Sequence, residues 1–101
     1  YYGLDVRGRI KIKSGDLNGG IRDLSTAIAA FPPNAGPYLE RGIAYLLQGK
    51  DAEAQADFDR YLQLVPKGKA NLEKRISEAK ASKPSASILT VRQPRNSLLL
   101  K

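Results

Sequence analysis

Apolar residues recur along this chain at helical spacing, and glycine and proline interrupt them at regular places. Between Asp51 and Pro66 they fall at Ala54, Phe58, Leu62 and Val65, spaced four, four and three, which predicts one helix with a single apolar stripe. Just upstream, Asn34 as an N-cap and Pro37 in the first turn predict a helix that runs to about Leu47 and stops at Gly49. Asp51 then stands near the next N-terminus, where a carboxylate offsets the helix dipole. The first third follows the same plan, with Gly15 and Asp16 at the turn, Ile21, Leu24 and Ile28 on a stripe, and Pro32-Pro33 at the end. Beyond Pro66, Leu72, Ile76 and Ala79 make a narrow apolar stripe on a further helix whose remaining surface is charged.

The interruptions keep an interval. An offset of thirty-four residues pairs Arg7 with Arg41, Gly8 with Gly42, Gly15 with Gly49, Asp23 with Asp57 and Pro32 with Pro66. It also pairs Leu24 with Phe58, Ile28 with Leu62, Ile12 with Leu46 and Phe31 with Val65. Each unit therefore reads as two helices joined by a glycine turn and closed by proline. The expected organisation is all-α: unit one at 1–34, unit two at 35–68, a C-terminal capping helix at 69–83 and a basic, apolar tail at 84–101. Ser, Pro and Arg interruptions suit a flexible tail, while its "SILTV" and "SLLL" clusters are more apolar than a solvated tail needs and raise docking on this domain or on a neighbouring copy.

Tyr38, Arg41, Gly42 and Tyr45, then Ala54, Phe58 and Pro66, stand at spacings that resemble the tetratricopeptide repeat (TPR) family, whose period is thirty-four. Leu4, Gly8, Gly20, Leu24, Ala27 and Pro32 hold the matching places in the first unit. The resemblance covers 1–68 and implies a helical-hairpin repeat, an α-solenoid, in which the small residues mark close helix crossings. Arg7 and Arg41 depart from it, standing where the family has Leu, so their stems are expected to pack and their heads to reach solvent. Lys11 replaces the aromatic found at Tyr45, and Tyr61 occupies the normally small place of Ala27, so the second unit is expected to meet its successor differently.

Function follows from what the resemblance implies together with what composition excludes. The chain has 101 residues, no Cys and no His, which removes disulfides, the usual zinc sites, Cys-His and Ser-His nucleophile pairs and the commonest general base. No enzyme activity and no cofactor are expected. No apolar run approaches a membrane span, and nothing fixes the compartment. The chain does not begin with Met and shows no charged-then-apolar leader, so it is expected to be a segment of something longer. Two units fall short of the usual three, and the open edge of the first helix is expected to pair with further repeats or a second copy.

The resemblance implies that ligands, extended peptides or partner helices, lie against the first helix of each unit. The candidate groove is Tyr2, Val6, Arg9 and Lys13 with Leu39, Ile43, Leu46 and Leu47. Because Tyr38 and Tyr45 already serve a core, Leu39, Ile43 and Leu46 form an additional apolar stripe. That stripe must be covered by the capping helix, the tail, further repeats or a ligand. A clamp for chaperone C-terminal carboxylates is argued against, since Asp5 and Glu40 take places where the family's clamp needs cations or amides.

Net charge is +7, and residues 67–101 carry nine Lys/Arg against two acids. The like-charged pairs Arg7–Lys11 and Arg9–Lys13 repel within one helix, and that tolerated cost raises nucleic acid or an anionic surface as an alternative partner. Aromatic stacking platforms are scarce beside those charges and no phosphate loop appears, so nucleic acid is disfavoured. The acidic cluster Asp51, Glu53, Asp57 and Asp59 is read as dipole compensation rather than as a metal site.

Overall fold

The structure is a computed structural model that describes residues 2–82, with side chains described for 3–81. The expected tail, 84–101, Lys83 at the end of the expected capping helix, and the side chain of Tyr2 lie outside them. The described residues form five α-helices and no strand: α1 (Tyr2–Lys13), α2 (Leu17–Ala30), α3 (Gly36–Leu47), α4 (Asp51–Leu64) and α5 (Lys69–Ser82).

Two glycines end α1 and α3 in the same way. Gly15 and Gly49 have φ of 98° and 79°, a left-handed conformation that a side chain would strain. The reversal lets the next residue reach back, Asp16 N to Lys11 O at 2.8 Å and Lys50 N to Tyr45 O at 2.9 Å, while Gly15 and Gly49 themselves donate to Ile12 O and Leu46 O. This Schellman arrangement satisfies carbonyls that the helix end would leave bare. Asp16 then caps α2, its Oδ1 accepting from Gly19 N at 2.9 Å. At the start of α3 the sequence misleads: Ala35 is the N-cap, without a side-chain bond, and Asn34 lies in the preceding turn, its N–H donating to Phe31 O. The prolines Pro32 and Pro33 hold that connection and leave Asn34 one residue too early to cap.

α1 packs antiparallel on α2, and α3 on α4. The directions follow from the contacts: Gly8 meets Gly20 and Leu24 while Ile12, further along α1, meets Gly20, earlier on α2. A Cβ on Gly8 would stand 2.8 Å from Leu24 Cγ, and one on Gly20 would stand 2.8 Å from the Gly8 carbonyl oxygen, so the backbones approach as closely as hydrogen permits. Gly42 meets Phe58 in the same way, and Ala54 is 1% exposed. Of the other residues expected to hold the helices together, Leu24, Ala27, Tyr38 and Phe58 are buried, Leu4 and Tyr45 are half-buried, and Pro32 and Pro66 sit exposed in the connections.

The arginines do more than carry their stems inward. Arg7 Nε and Nη2 donate to both carboxylate oxygens of Asp23, at 2.8 and 3.0 Å. Arg41 Nε and Nη2 do the same to Asp57, both at 2.8 Å. The expectation of a solvent-directed head holds for Arg7, 60% exposed, and is corrected for Arg41, 21% exposed. Each guanidinium crosses to the second helix of its pair and grips a buried carboxylate sixteen residues on, a bidentate geometry that only Arg offers.

α5 rests on α3. Leu72 and Ala79 are buried in one cluster with Leu39, Ile43, Phe58 and Tyr61, with Ile76 packed against it. Arg75 adds a bidentate bond to Glu40 at 2.7 and 2.8 Å. Close backbone approach joins α2 to α3, whereas α5 makes its approach to α3 rather than α4. Tyr61 explains the difference physically. Its ring lies where a Cβ on Gly68 would come within 2.8 Å, and its hydroxyl accepts from Asn71 Nδ2 at 3.1 Å, so a large side chain props the start of α5 away from α4.

Candidate binding surface

One cleft of ≈ 600 Å³ runs between α1, α3 and α5. Ile12, Ile43 and Ala79 form its apolar floor, all three buried, with Leu47 half-buried beside them. Arg9 and Lys13 stand exposed on the α1 rim, and Glu78 on the α5 rim. Glu40 and Arg75 reach into it already paired. Nearby, burial raises the Asp5 carboxyl above its ordinary value, with Arg9 opposing and Glu40 adding to the rise. A bound anionic terminus would have to approach these two acids, whereas an apolar side chain would meet a fitted floor.

Four of the eight candidate groove residues line this cleft: Arg9, Lys13, Ile43 and Leu47. Leu39, 4% exposed, is packed under α5 and is core within this chain, and Ile43, though lining the cleft, is only 5% exposed. Leu46 faces a different groove, of ≈ 460 Å³, between α3, α4 and α5. Val6 lies outside both, 38% exposed, one turn before Ile10, which is 60% exposed. Sequence reasoning missed Ile12, Arg75 and Glu78 as cleft residues. A usable signal was Glu40, the one acid of α3, set between Leu39 and Ile43 on its apolar stripe, which implies a cation arriving from another element.

The basic character of α1 changes meaning in three dimensions. Arg7 and Lys11 do not face outward together, because Lys11 Nζ lies 3.1 Å from the same Asp23 oxygen that Arg7 holds at 2.8 Å. Their mutual repulsion is offset by a carboxylate between them, so the pair is no argument for an external anion. Hydrogen bonding from Arg7, opposed by burial and reinforced by Lys11, lowers the Asp23 carboxyl to about 2 from an ordinary 3.8. A depressed folded value means stability that is fully present above pH 3.8 and is lost as pH falls toward 2. Acid titration of unfolding should show this loss in the native chain, and Asp23→Asn should flatten that part of the curve.

Among the described residues no three acids converge as a cation site, and Asp57 is committed to Arg41. No described helix is long and apolar enough to cross a membrane. In comparisons with known proteins, no family model matches the chain, and neither a curated protein nor a solved structure matches it.

Proposed function

We propose that this chain is a TPR-like stack of two helical hairpins with α5 as its cap, a non-catalytic scaffold that binds an extended peptide or partner helix along the α1–α3–α5 cleft. The cleft carries this reading, because it is lined by the first helix of each unit and floored by Ile12, Ile43 and Ala79. The ligand it suits has an apolar side chain for that floor and an acidic neighbour facing Arg9 and Lys13. Pairing of Arg7 and Lys11 with Asp23 weighs against a nucleic-acid role for α1, since one carboxylate between them halves the charge they would offer a phosphate.

The test is a fluorescence-anisotropy screen of acidic-apolar peptides. Arg9→Glu with Lys13→Glu should weaken any binder by tenfold or more, the effect of losing about 1.4 kcal/mol. Arg22→Glu, exposed on α2, should leave it unchanged. Leu39 and Ile43 are poor probes, being core. Equal weakening by the α1 and α2 variants would refute a specific cleft.

A second reading, self-association through α1, has its own observation. Ala44 on α3 is fully buried beside Leu24, while Ile10, its counterpart thirty-four residues earlier on α1, is 60% exposed. Arg41 also donates to Ser25 on α2 at 3.0 Å and is 21% exposed, against 60% for Arg7. The α1 face is thus the same kind of surface left uncovered, and sedimentation alongside the peptide screen reports whether another copy covers it.

A further inference from the structure

The second groove is a gap in a pattern that the first half of the molecule fills. In that half, Ile12, Leu17, Ile21 and Leu24 close around Ala44, which is 0% exposed. Thirty-four residues on, the same places are Leu46, Asp51, Gln55 and Phe58, and all four line the ≈ 460 Å³ groove. The residue that would plug it, at Ala44's counterpart, is Glu78. Its side chain is 57% exposed and turned toward Arg75, and it is absent from the groove lining. α5 therefore walls the groove with Ile76 and Lys80 without filling it.

We propose that this chain's own residues 87–91, Ser-Ile-Leu-Thr-Val, fill the groove. Its chemistry is split. Leu46, Phe58 and Ile76 give one apolar side, while Asp51 and Gln55 stand exposed on the α4 side where the first half has half-buried Leu17 and Ile21. Lys80 already gives that side one cation, and an apolar occupant with a further cation beside it fits both parts. Ile88, Leu89 and Val91 followed by Arg92 meet both demands, and Arg95 and Lys101 add to a charge opposite to that of α4, where Asp51, Glu53 and Asp59 stand against Arg60 once Asp57 is committed to Arg41.

Reach is sufficient. Lys80 on the groove wall is two residues from Ser82, and the six residues from Ser82 to Ile88 span up to roughly 20 Å when extended. The occupant is this chain rather than an unrelated peptide because its tether holds the segment at millimolar effective concentration. The groove is distinct from the peptide cleft, so failure of either proposal leaves the other standing.

The chain lacks cysteine, so an introduced pair reports without interference. Gln55→Cys with Ser87→Cys in the full chain is expected to close an intrachain disulfide at least about tenfold faster than Arg22→Cys with Ser87→Cys, since docking raises local concentration above that of a free tether. Adding Ile88→Asp and Leu89→Asp should erase that advantage while leaving helicity by circular dichroism unchanged. Equal rates for the two pairs overturn the proposal. So does a bond formed only between chains, which would assign the groove to a second copy, or an advantage that survives the aspartates.

Discussion

Asp57→Ala is expected to lower stability by about 3 kcal/mol, read from urea unfolding followed by circular dichroism. Asp57 is 5% exposed and accepts two bonds from Arg41, whose side chain is only 21% exposed. The Asp57 hydrogen bonds, outweighing burial, raise the Arg41 guanidinium above its ordinary value; without them Arg41 still keeps its charge, because a guanidinium is not deprotonated within a protein. Ser25 and the Tyr45 ring, 5.8 Å from the guanidinium carbon, give partial compensation, which holds the expected loss at the low end for a broken buried pair. Asp23→Ala removes the corresponding carboxylate from a pair open to water, with Arg7 60% exposed, and should cost clearly less. If the two variants unfold at the same urea concentration, burial is not what gives the Arg41 pair its weight.

Gly42→Leu should be at least as damaging, again about 3 kcal/mol by the same measurement, at the upper range for overpacking a core. The first added carbon alone would lie 2.5 and 2.7 Å from the Phe58 ring and 3.3 Å from Asp57 Cβ. Phe58 is 4% exposed and cannot swing away without opening α3 from α4, and the same movement would stretch the Arg41–Asp57 bonds. Gly3→Ala is the control: nothing lies within 4 Å of its new carbon, and an exposed alanine in the first turn of α1 should change stability by no more than about 0.5 kcal/mol. A Gly42→Leu chain as stable as the native one would mean that α3 and α4 do not approach at this point.

What the sequence revealed and what it hid divide along a physical line. Gly15 and Gly49 could be read because a left-handed turn residue leaves a mark on its own position, and the stripes at Leu24 and Phe58 because a buried helix face repeats every turn. Arg7 with Asp23, and Arg41 with Asp57, were visible as matched residues but not as partners, since a sixteen-residue separation across a turn has no periodicity to betray it. The same holds for Glu40 with Arg75, thirty-five residues apart. That Leu39 and Ile43 needed a cover was legible, but which element supplies it was not. Apolar surfaces fit many partners, and the choice of α5 rests on the Glu40–Arg75 pair and on Leu72 and Ala79 packing in the same cluster as Leu39 and Ile43. The Asn34 cap failed because two prolines fix the backbone ahead of α3 more firmly than one side-chain oxygen can.

Among the described residues, close approaches join α1 with α2, α2 with α3, α3 with α4, and α3 with α1 and α5, so spatial neighbours there are near neighbours along the chain. Assembly then closes only short loops, the regime of low contact order in which folding is rapid.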